Sequence, residues 1–308
     1  MDKTLSDFVK KNYPDSKADL FACFIERCGT LANGRGFFGM ITQQAWMFLS
    51  SYENLRKKLS LQETVNMAHL GARAFDEIGG EVVQTTAFVK RQTKISGYKG
   101  TYVRLIGING EQEKAESFLS GQNRYESDSD NFAKIPGSPV AYWVSENFIS
   151  IFRNTSVGEI SRVREGIKTG DNDKFLRFWY EISINKSNIV SPIETSKWHK
   201  TAKAGEFRKW YGAHYILTNF ENKGINIIKN GHGSITGTVD LYKEAITWNR
   251  ITSSKESFRF LPSGFISNMA GMCLYLNDRG RENELLGFLN SNIIAYALSI
   301  INPTISFP

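Results

Sequence analysis

Three cysteines in 308 residues, Cys23, Cys28 and Cys273, form no C-x-x-C pair. That excludes a disulfide framework and a thiolate metal site. The four histidines, His69, His199, His214 and His232, show neither H-E-x-x-H nor i, i+4 spacing, so zinc bound by a helix is excluded as well. The acidic pairs Asp128/Asp130 and Asp171/Asp173 lack the glutamate that would close a calcium loop and read as turns. No G-x-S-x-G elbow or Cys/His pairing offers a nucleophile. No apolar run reaches the roughly 20 residues of a membrane span. The opening MDKTLSDFVKKNYPDSK is polar and has no signal-peptide core. With Cys23 and Cys28 inside an apolar helical run, the expectation is a soluble, cytoplasmic chain that needs no metal.

What is present begins with a helix. Pro14, Asp15 and Ser16 punctuate its approach, Leu20, Phe21, Phe24, Ile25, Cys28 and Leu31 recur at helical spacing, and Asn33-Gly34 is a stop signal. GFFGMIT (36–42) reads as an apolar strand, buried on both faces if it lies in a parallel sheet. An amphipathic helix follows from Tyr52 to Leu59, then a strand from Thr64 to Leu70. Helix, strand, helix, strand is the order of an α/β sheet with crossovers. After a Gly79-Gly80 break a second strand alternates, with Val83, Thr85, Ala87 and Val89 on one face and Val82, Gln84, Thr86 and Phe88 on the other. Thr101 to Leu105 is expected to pair with it antiparallel. Residues 107–135 are polar, carry ESDSD, and read as a long surface connection. The apolar-aromatic IPGSPVAYWVS (135–145) comes next, and turn signals near 150–158 suggest a domain boundary. Short aromatic-rich strands then alternate with Gly/Asn/Lys turns. A closing helix is expected from Glu284 to Ile301, with Leu285, Leu286, Leu289, Ile293, Ala297 and Ile300 on one stripe. The tail NPTISFP is apolar and uncapped.

GRGFFG spells G-x-G-x-x-G through Gly34, Gly36 and Gly39. A dinucleotide fingerprint needs such glycines after a strand and opening a helix. Here they follow a helix and enter a strand, which is the wrong order for a phosphate cradle. Phe75 sits on the short turn between two strand ends, where an aromatic either anchors the loop or offers its face to a ligand. Net charge is +7, a mild lean toward a polyanion. Three stretches combine basic, amide and aromatic side chains. The first is 164–180, with Lys168, Thr169, Asn172, Lys174 and Arg177. The second is GEFRKWYG, with Arg208, Lys209, Trp210 and Tyr211. The third is 247–260, with Trp248, Asn249, Arg250, Lys255 and Arg259. Arg and Lys can bond phosphate or guanine and Asn can read adenine. Each stretch alone reads as an amphipathic strand with a charged outer face. Three together in a basic chain point to nucleic acid.

The run HLGARAFDEIGGEVVQTTAFV, with KNYPDSKADLFACFIERC and GFFGMITQQAWMFLSSYENLR before it, resembles the adenine-specific DNA methyltransferases of BREX (Pgl-type) phage-defence systems. The likeness to Taq-type and type IIG enzymes is more distant. GIKTGDNDKF, GEFRKWYG and ELLGFLNSNII resemble the same family's target-recognition region. The resemblance implies the α/β half of a Rossmann-like methyltransferase sheet (1–106), a connecting segment (107–157) and a mixed α+β target-recognition domain (158–308). It implies that Phe75 stacks on an adenine turned out of the duplex, and that Lys168, Thr169, Asn172 and Arg250 touch DNA. The family's S-adenosylmethionine loop and its Asn/Asp-Pro-Pro-Tyr/Phe tetrapeptide are missing, and no Pro-Pro pair occurs. The expectation is therefore a fragment that does not bind S-adenosylmethionine or methylate alone, although its parent would do both. It would meet double-stranded DNA, and an unflanked strand edge would favour self-association or other defence proteins, with no membrane partner. A noncatalytic specificity subunit and a protein-interaction module are the alternatives.

Overall fold

The computed structural model describes residues 1–77, 83–236, 238–252, 256–278 and 280–302. The expected Gly79-Gly80 break, Val82, Lys255 and the apolar tail beyond Asn302 lie outside them. The chain forms two compact units, Met1–Asn154 and Thr155–Ser299, with Ile300 grouped with the first.

In the first unit, helices α1 (Lys3–Asn12) and α2 (Leu20–Leu31) precede strand β1 (Phe37–Gln43). Helix α3 (Glu53–Leu59), strands β2 (Glu63–Gly71), β3 (Thr85–Arg91) and β4 (Gly100–Arg104), helix α4 (Glu111–Leu119), β5 (Arg124–Ser127) and the short α5 (Glu146–Ile149) follow. The sheet order is β1-β3-β2-β4-β5. β3 runs antiparallel to both neighbours and β2 parallel to β4. So β1, β2 and β4 all point the same way, and their C-terminal ends share one edge of the sheet.

One face of this sheet is filled. Thr86, Phe88 and Lys90 of β3 and Tyr102 of β4 are buried beneath Trp46, Met47, Tyr52, Leu55, Val140 and Tyr142. Tyr102 stacks on Tyr142 with ring centroids 4.6 Å apart, and Trp46 meets Phe88 edge-on at 5.4 Å. The other face is open: Phe37 and Ile41 of β1 are each 61% exposed.

Three expectations change here. β1 is not buried on both faces, because β3 is its one sheet neighbour among the described residues and nothing there covers its outer face. Thr101–Leu105 does not pair with the alternating strand. Both edges of β3 are taken by β1 and β2, so the chain returns beyond β2 and pairs parallel to it. Nor are residues 107–135 a bare surface connection. α4 anchors through Lys114, 3% exposed, whose ammonium donates to the carbonyls of Leu70, Leu105 and Ile108. β5 pairs with β4, and Phe132 and Ile135 are buried. A polar segment reads as loop when its few apolar residues are far apart, yet here each has a nonlocal slot.

The second unit opens with α6 (Val157–Ile160) and β6 (Ser161–Arg164), then α7 (Asn172–Phe175), β7 (Leu176–Phe178), β8 (Trp198–Ala202), β9 (Trp210–Tyr211) and β10 (Ile216–Asn219). It continues with α8 (Glu221–Lys229), β11 (Ala245–Asn249), β12 (Arg259–Leu261), β13 (Ile266–Ser267), β14 (Gly271–Leu276), α9 (Glu282–Leu289) and α10 (Asn292–Ile301). Two mixed sheets result, β13-β8-β10-β7 and β6-β14-β11-β12-β9. Leu285, Leu286 and Leu289 of α9 pack on Ile246, Trp248, Met272 and Leu274 of the larger one.

The expected closing helix is two helices, bent by 65° at Asn290-Ser291. Asn290 is 7% exposed, and its side chain accepts from Phe258 N and donates to Phe258 O, at 3.2 and 2.9 Å. The amide joins a neighbouring backbone, and Ser291 Oγ then accepts from Ile294 N to restart the helix. No single helix among the described residues is long and apolar enough to cross a membrane.

Candidate nucleic-acid interface

In open α/β sheets ligands collect beyond the C-terminal ends of parallel strands. In the first unit that edge carries Gln43 and Gln44 after β1, His69 to Gly71 of β2, and Arg104 of β4. The turn bearing Phe75 leaves from it. Gly71 has φ +70°, and a Cβ there would lie 3.0 Å from the Ile106 backbone, so glycine fixes the direction in which the turn departs. Arg73 is also left-handed (φ +53°), and Asp76 Oδ1 accepts from Glu111 N at 3.2 Å, pinning the turn to the start of α4. Phe75 is 36% exposed. The ring is therefore not sealed in the interior.

Behind the turn lies a polar chain, buried at Tyr142 and His69 and reaching the surface at Gln84, that the sequence did not reveal. The Tyr142 hydroxyl donates to His69 Nδ1 at 3.0 Å, and His69 Nε2 donates to the Gln44 side-chain oxygen at 2.7 Å. The Gln44 amide in turn donates to the Gln84 side chain at the entrance to β3. His69 is buried, and the charges of Arg104 and Lys114 add to the desolvation that holds its pKa down to about 3. It is therefore a neutral spacer at ordinary pH. The Arg104 guanidinium lies over the Trp143 ring, 4.6 Å from its centroid. These partners are 25 and 73 residues from His69 in sequence, so no local spacing announces them.

In the second unit, one cross-strand row runs through all five strands of the larger sheet: Arg164, Cys273, Thr247, Arg259, Trp210. The strand directions place the C-terminal ends of β6 and β11 and the N-terminal ends of β9, β12 and β14 together. Loops 165–168, 205–209 and 250–252 therefore leave from the same end. Side chains tie them there: Arg250 Nη1 meets Glu165 Oε1 at 2.7 Å, and Asn249 Nδ2 donates to Gly205 O at 2.7 Å. One loop from each of the three basic stretches thus leaves the same sheet end, while Asn172, Lys174 and Arg177 lie on α7 and β7, with β7 in the smaller sheet.

Not every expected contact survives. Trp248 is 8% exposed and packs against Phe258 in the core, so its ring is not available to DNA. Asn249 is 9% exposed; its oxygen accepts from Arg259 Nη2 at 2.8 Å and its amide holds Gly205, so both ends of the amide are already bonded within the fold. Thr169 is 4% exposed and donates to Asn172 Oδ1 at 2.6 Å, which closes a turn. Lys209 Nζ donates to Asn290 O at 3.0 Å, and Arg177 turns back onto the Asp173 and Leu176 carbonyls. Arg259, 1% exposed, is interior. Alternation alone could not show which of these faces inward. Lys168, Asn172, Lys174 and Arg208 are exposed, Lys174 also bonding Asn230 at 3.1 Å. Arg250 remains partly exposed in its ion pair. Among the described residues no cluster of His, Cys, Asp or Glu could hold a metal ion.

Residues 1–73 match the Eco57I restriction-modification methylase family. Over its full length the chain is 42% identical to the adenine-specific methyltransferase PglX of Lacticaseibacillus casei (strain Zhang) and 40% identical to the adenine-specific methyltransferase BrxX of Escherichia coli O9:H4 (strain HS). It is homologous throughout to one stretch of these adenine-specific methyltransferases, as the sequence resemblance implied. It spans 27% and 26% of their lengths. In fold it is similar to the type IIL restriction-modification enzyme MmeI, solved in complex with DNA, with a TM-score of 0.57 at 11% identity over 94% of this chain and 40% of that one.

Proposed function

We propose that this chain supplies the target-base pocket and the sequence-reading surface of a site-specific DNA N6-adenine methyltransferase of a defence or restriction-modification system. The observation that carries the reading is Phe75: a ring left partly open on a turn at the C-terminal edge of the sheet, within a stretch homologous to adenine-specific methyltransferases. An adenine amino group cannot be reached inside the duplex, so the base must be extruded, and an aromatic face is what an extruded purine needs. On this reading Lys168, Asn172, Lys174, Arg208 and Arg250 contribute phosphate and base contacts from the second unit.

The parent's methyl donor would be S-adenosylmethionine, but the residues present do not fit that group. Gly34, Gly36 and Gly39 follow α2 and run into β1, so no helix N-terminus stands behind them, and the filled face of the sheet is packed with side chains. No methyl-transfer step is assigned to this chain.

Phe75→Ala should weaken binding to a duplex with a mispaired, easily extruded adenine by roughly 10–100-fold, the range for losing one base–aromatic stack. Binding to a fully paired duplex should hold. Fluorescence anisotropy measures both, and equal loss on the two duplexes would remove Phe75 from a base pocket.

The open face of the first sheet predicts a second behaviour. A hollow of about 710 Å³ lies over it, lined by Ile41, Val65, Ala87, Val89, Tyr98 and Phe118 among others, beside the outer edge of β1. An unpaired edge beside an apolar face favours association. The isolated chain should elute as an oligomer at high concentration, and Phe37→Ser with Ile41→Asp, on the same face of β1, should shift it toward monomer. A wild-type chain that stays monomeric on gel filtration at every concentration would refute this.

A further inference from the structure

We infer that Trp210 is an aromatic wedge that inserts between stacked base pairs of duplex DNA. The inference rests on the DNA-reading role proposed above and assigns it a residue that role did not require. Three rings crowd the exposed edge of the larger second-unit sheet: Phe207, Trp210 and Tyr211 are 52%, 53% and 57% exposed. Trp210 makes no ring contact among the described residues. A large ring left half exposed beside two other exposed rings offers a surface to a partner.

The backbone beneath it is held against its own preference. Trp210 has φ +76°, Gly212 +118° and Ala213 +64°. A bulky residue in the left-handed region is an outlier that persists only when its surroundings over-determine it. They do so here on both sides. Trp210 N donates to Phe258 O at 2.9 Å, Lys209 Nζ donates to Asn290 O at 3.0 Å, and Asn249 grips Gly205 at the root of the loop. Asn290 also bonds both backbone atoms of Phe258, so the clamps form one connected set. The result is a stiffly presented ring at the sheet end where the basic loops meet.

Charge selects the occupant. Lys203 and Arg208 stand against Glu206 in this segment, Lys209 being engaged on Asn290 O, and Arg208, two residues before Trp210, is exposed. Cationic side chains in the same short segment as an exposed ring suit phosphates flanking a base step. Apolar side chains that enter such a step unstack it and kink the duplex. A purely apolar protein partner would leave those cations without counter-charges.

The test uses the 308-residue chain and a duplex that it selects from a random-sequence pool, labelled at both ends for energy transfer. Wild-type binding should raise transfer as the duplex bends. Trp210→Ala should lower affinity roughly 10–100-fold and abolish the bend, and Trp210→Phe should keep most of both. Trp210→Gly should also lose the bend yet melt no lower than wild type, because glycine accepts the left-handed backbone; that separates a wedge from a structural prop. Arg208→Ala should reduce the salt slope of binding by about one without removing the bend. A Trp210→Ala complex bent as strongly as wild type overturns the wedge while leaving DNA recognition intact. If the wild-type chain selects no duplex, the DNA-reading role itself fails and the wedge with it.

Discussion

The first unit should lose roughly 4–5 kcal/mol of stability as pH falls from about 6.5 toward 3, through one side chain. His69 is the one histidine of residues 1–154, it is 2% exposed, and its folded pKa is held down to about 3. Its unfolded value is near 6.5. Between those values the unfolded chain binds a proton that the folded chain refuses, so stability rises with pH across the window and falls as the solution is acidified. Burial is the main cause, with Arg104 and Lys114 adding repulsion. Protonation would also place a donor on Nδ1, where the Tyr142 hydroxyl now donates. Urea midpoints at a series of pH values check this, read as the difference between wild type and His69→Gln. The variant should be weaker at pH 8 and much flatter below 6.5. Equal slopes for both proteins would show that another group carries the acid response.

Arg56→Ala should cost about 3–5 kcal/mol, from three carbonyls left without donors and the void left by the side chain. Arg56 is 4% exposed, and burial pushes its pKa down to about 10. Among the described residues no carboxylate bonds it. Nη1 donates to Trp46 O at 2.9 Å and Leu49 O at 2.7 Å, while Nε and Nη2 share Gly137 O at 3.0 and 2.6 Å. One planar fork therefore holds α3, the turn after β1 and the loop before Val140. Truncation strands three carbonyls without donors and opens a void the size of the side chain. Calorimetry should show the first unit melting on the order of 10 °C lower. Arg56→Lys, which keeps the charge but not the fork, should recover less than half of the loss. Full recovery by lysine would mean that charge, not geometry, is what Arg56 provides.

The pattern of what could be read from the chain follows from the range of each interaction. β2 and β3 were legible because their alternation is local, and α2 because its apolar stripe and Asn33-Gly34 stop are local. The direction of β4 was not, since alternation looks the same in a parallel or an antiparallel partner. α1 escaped notice because Val9 is its one buried residue, although Asp2 caps it through Leu5 N at 2.8 Å. The bend between α9 and α10 was hidden by an apolar stripe that continues across Asn290, whose partner Phe258 is 32 residues away. In the second unit, the basic stretches were recognised from composition, but composition could not tell exposed Arg208 from Lys209, which bonds a carbonyl. Phe75 stood out because its neighbours Arg73, Asp76 and Glu77 are polar. The Gln44–His69–Tyr142 chain joins three residues that are individually unremarkable.

The five-strand row from Arg164 to Trp210 separates two kinds of residue. Cys273, Thr247 and Arg259 at its middle are almost wholly enclosed, at 0%, 3% and 1% exposure, while the loops at its end carry the outward groups. Exchanges within those short segments that spare the Asn249 bonds to Gly205 and Arg259 should leave the enclosed row undisturbed. If these loops read DNA as proposed, a few turns could be exchanged to alter the sequence read while the scaffold beneath them is kept.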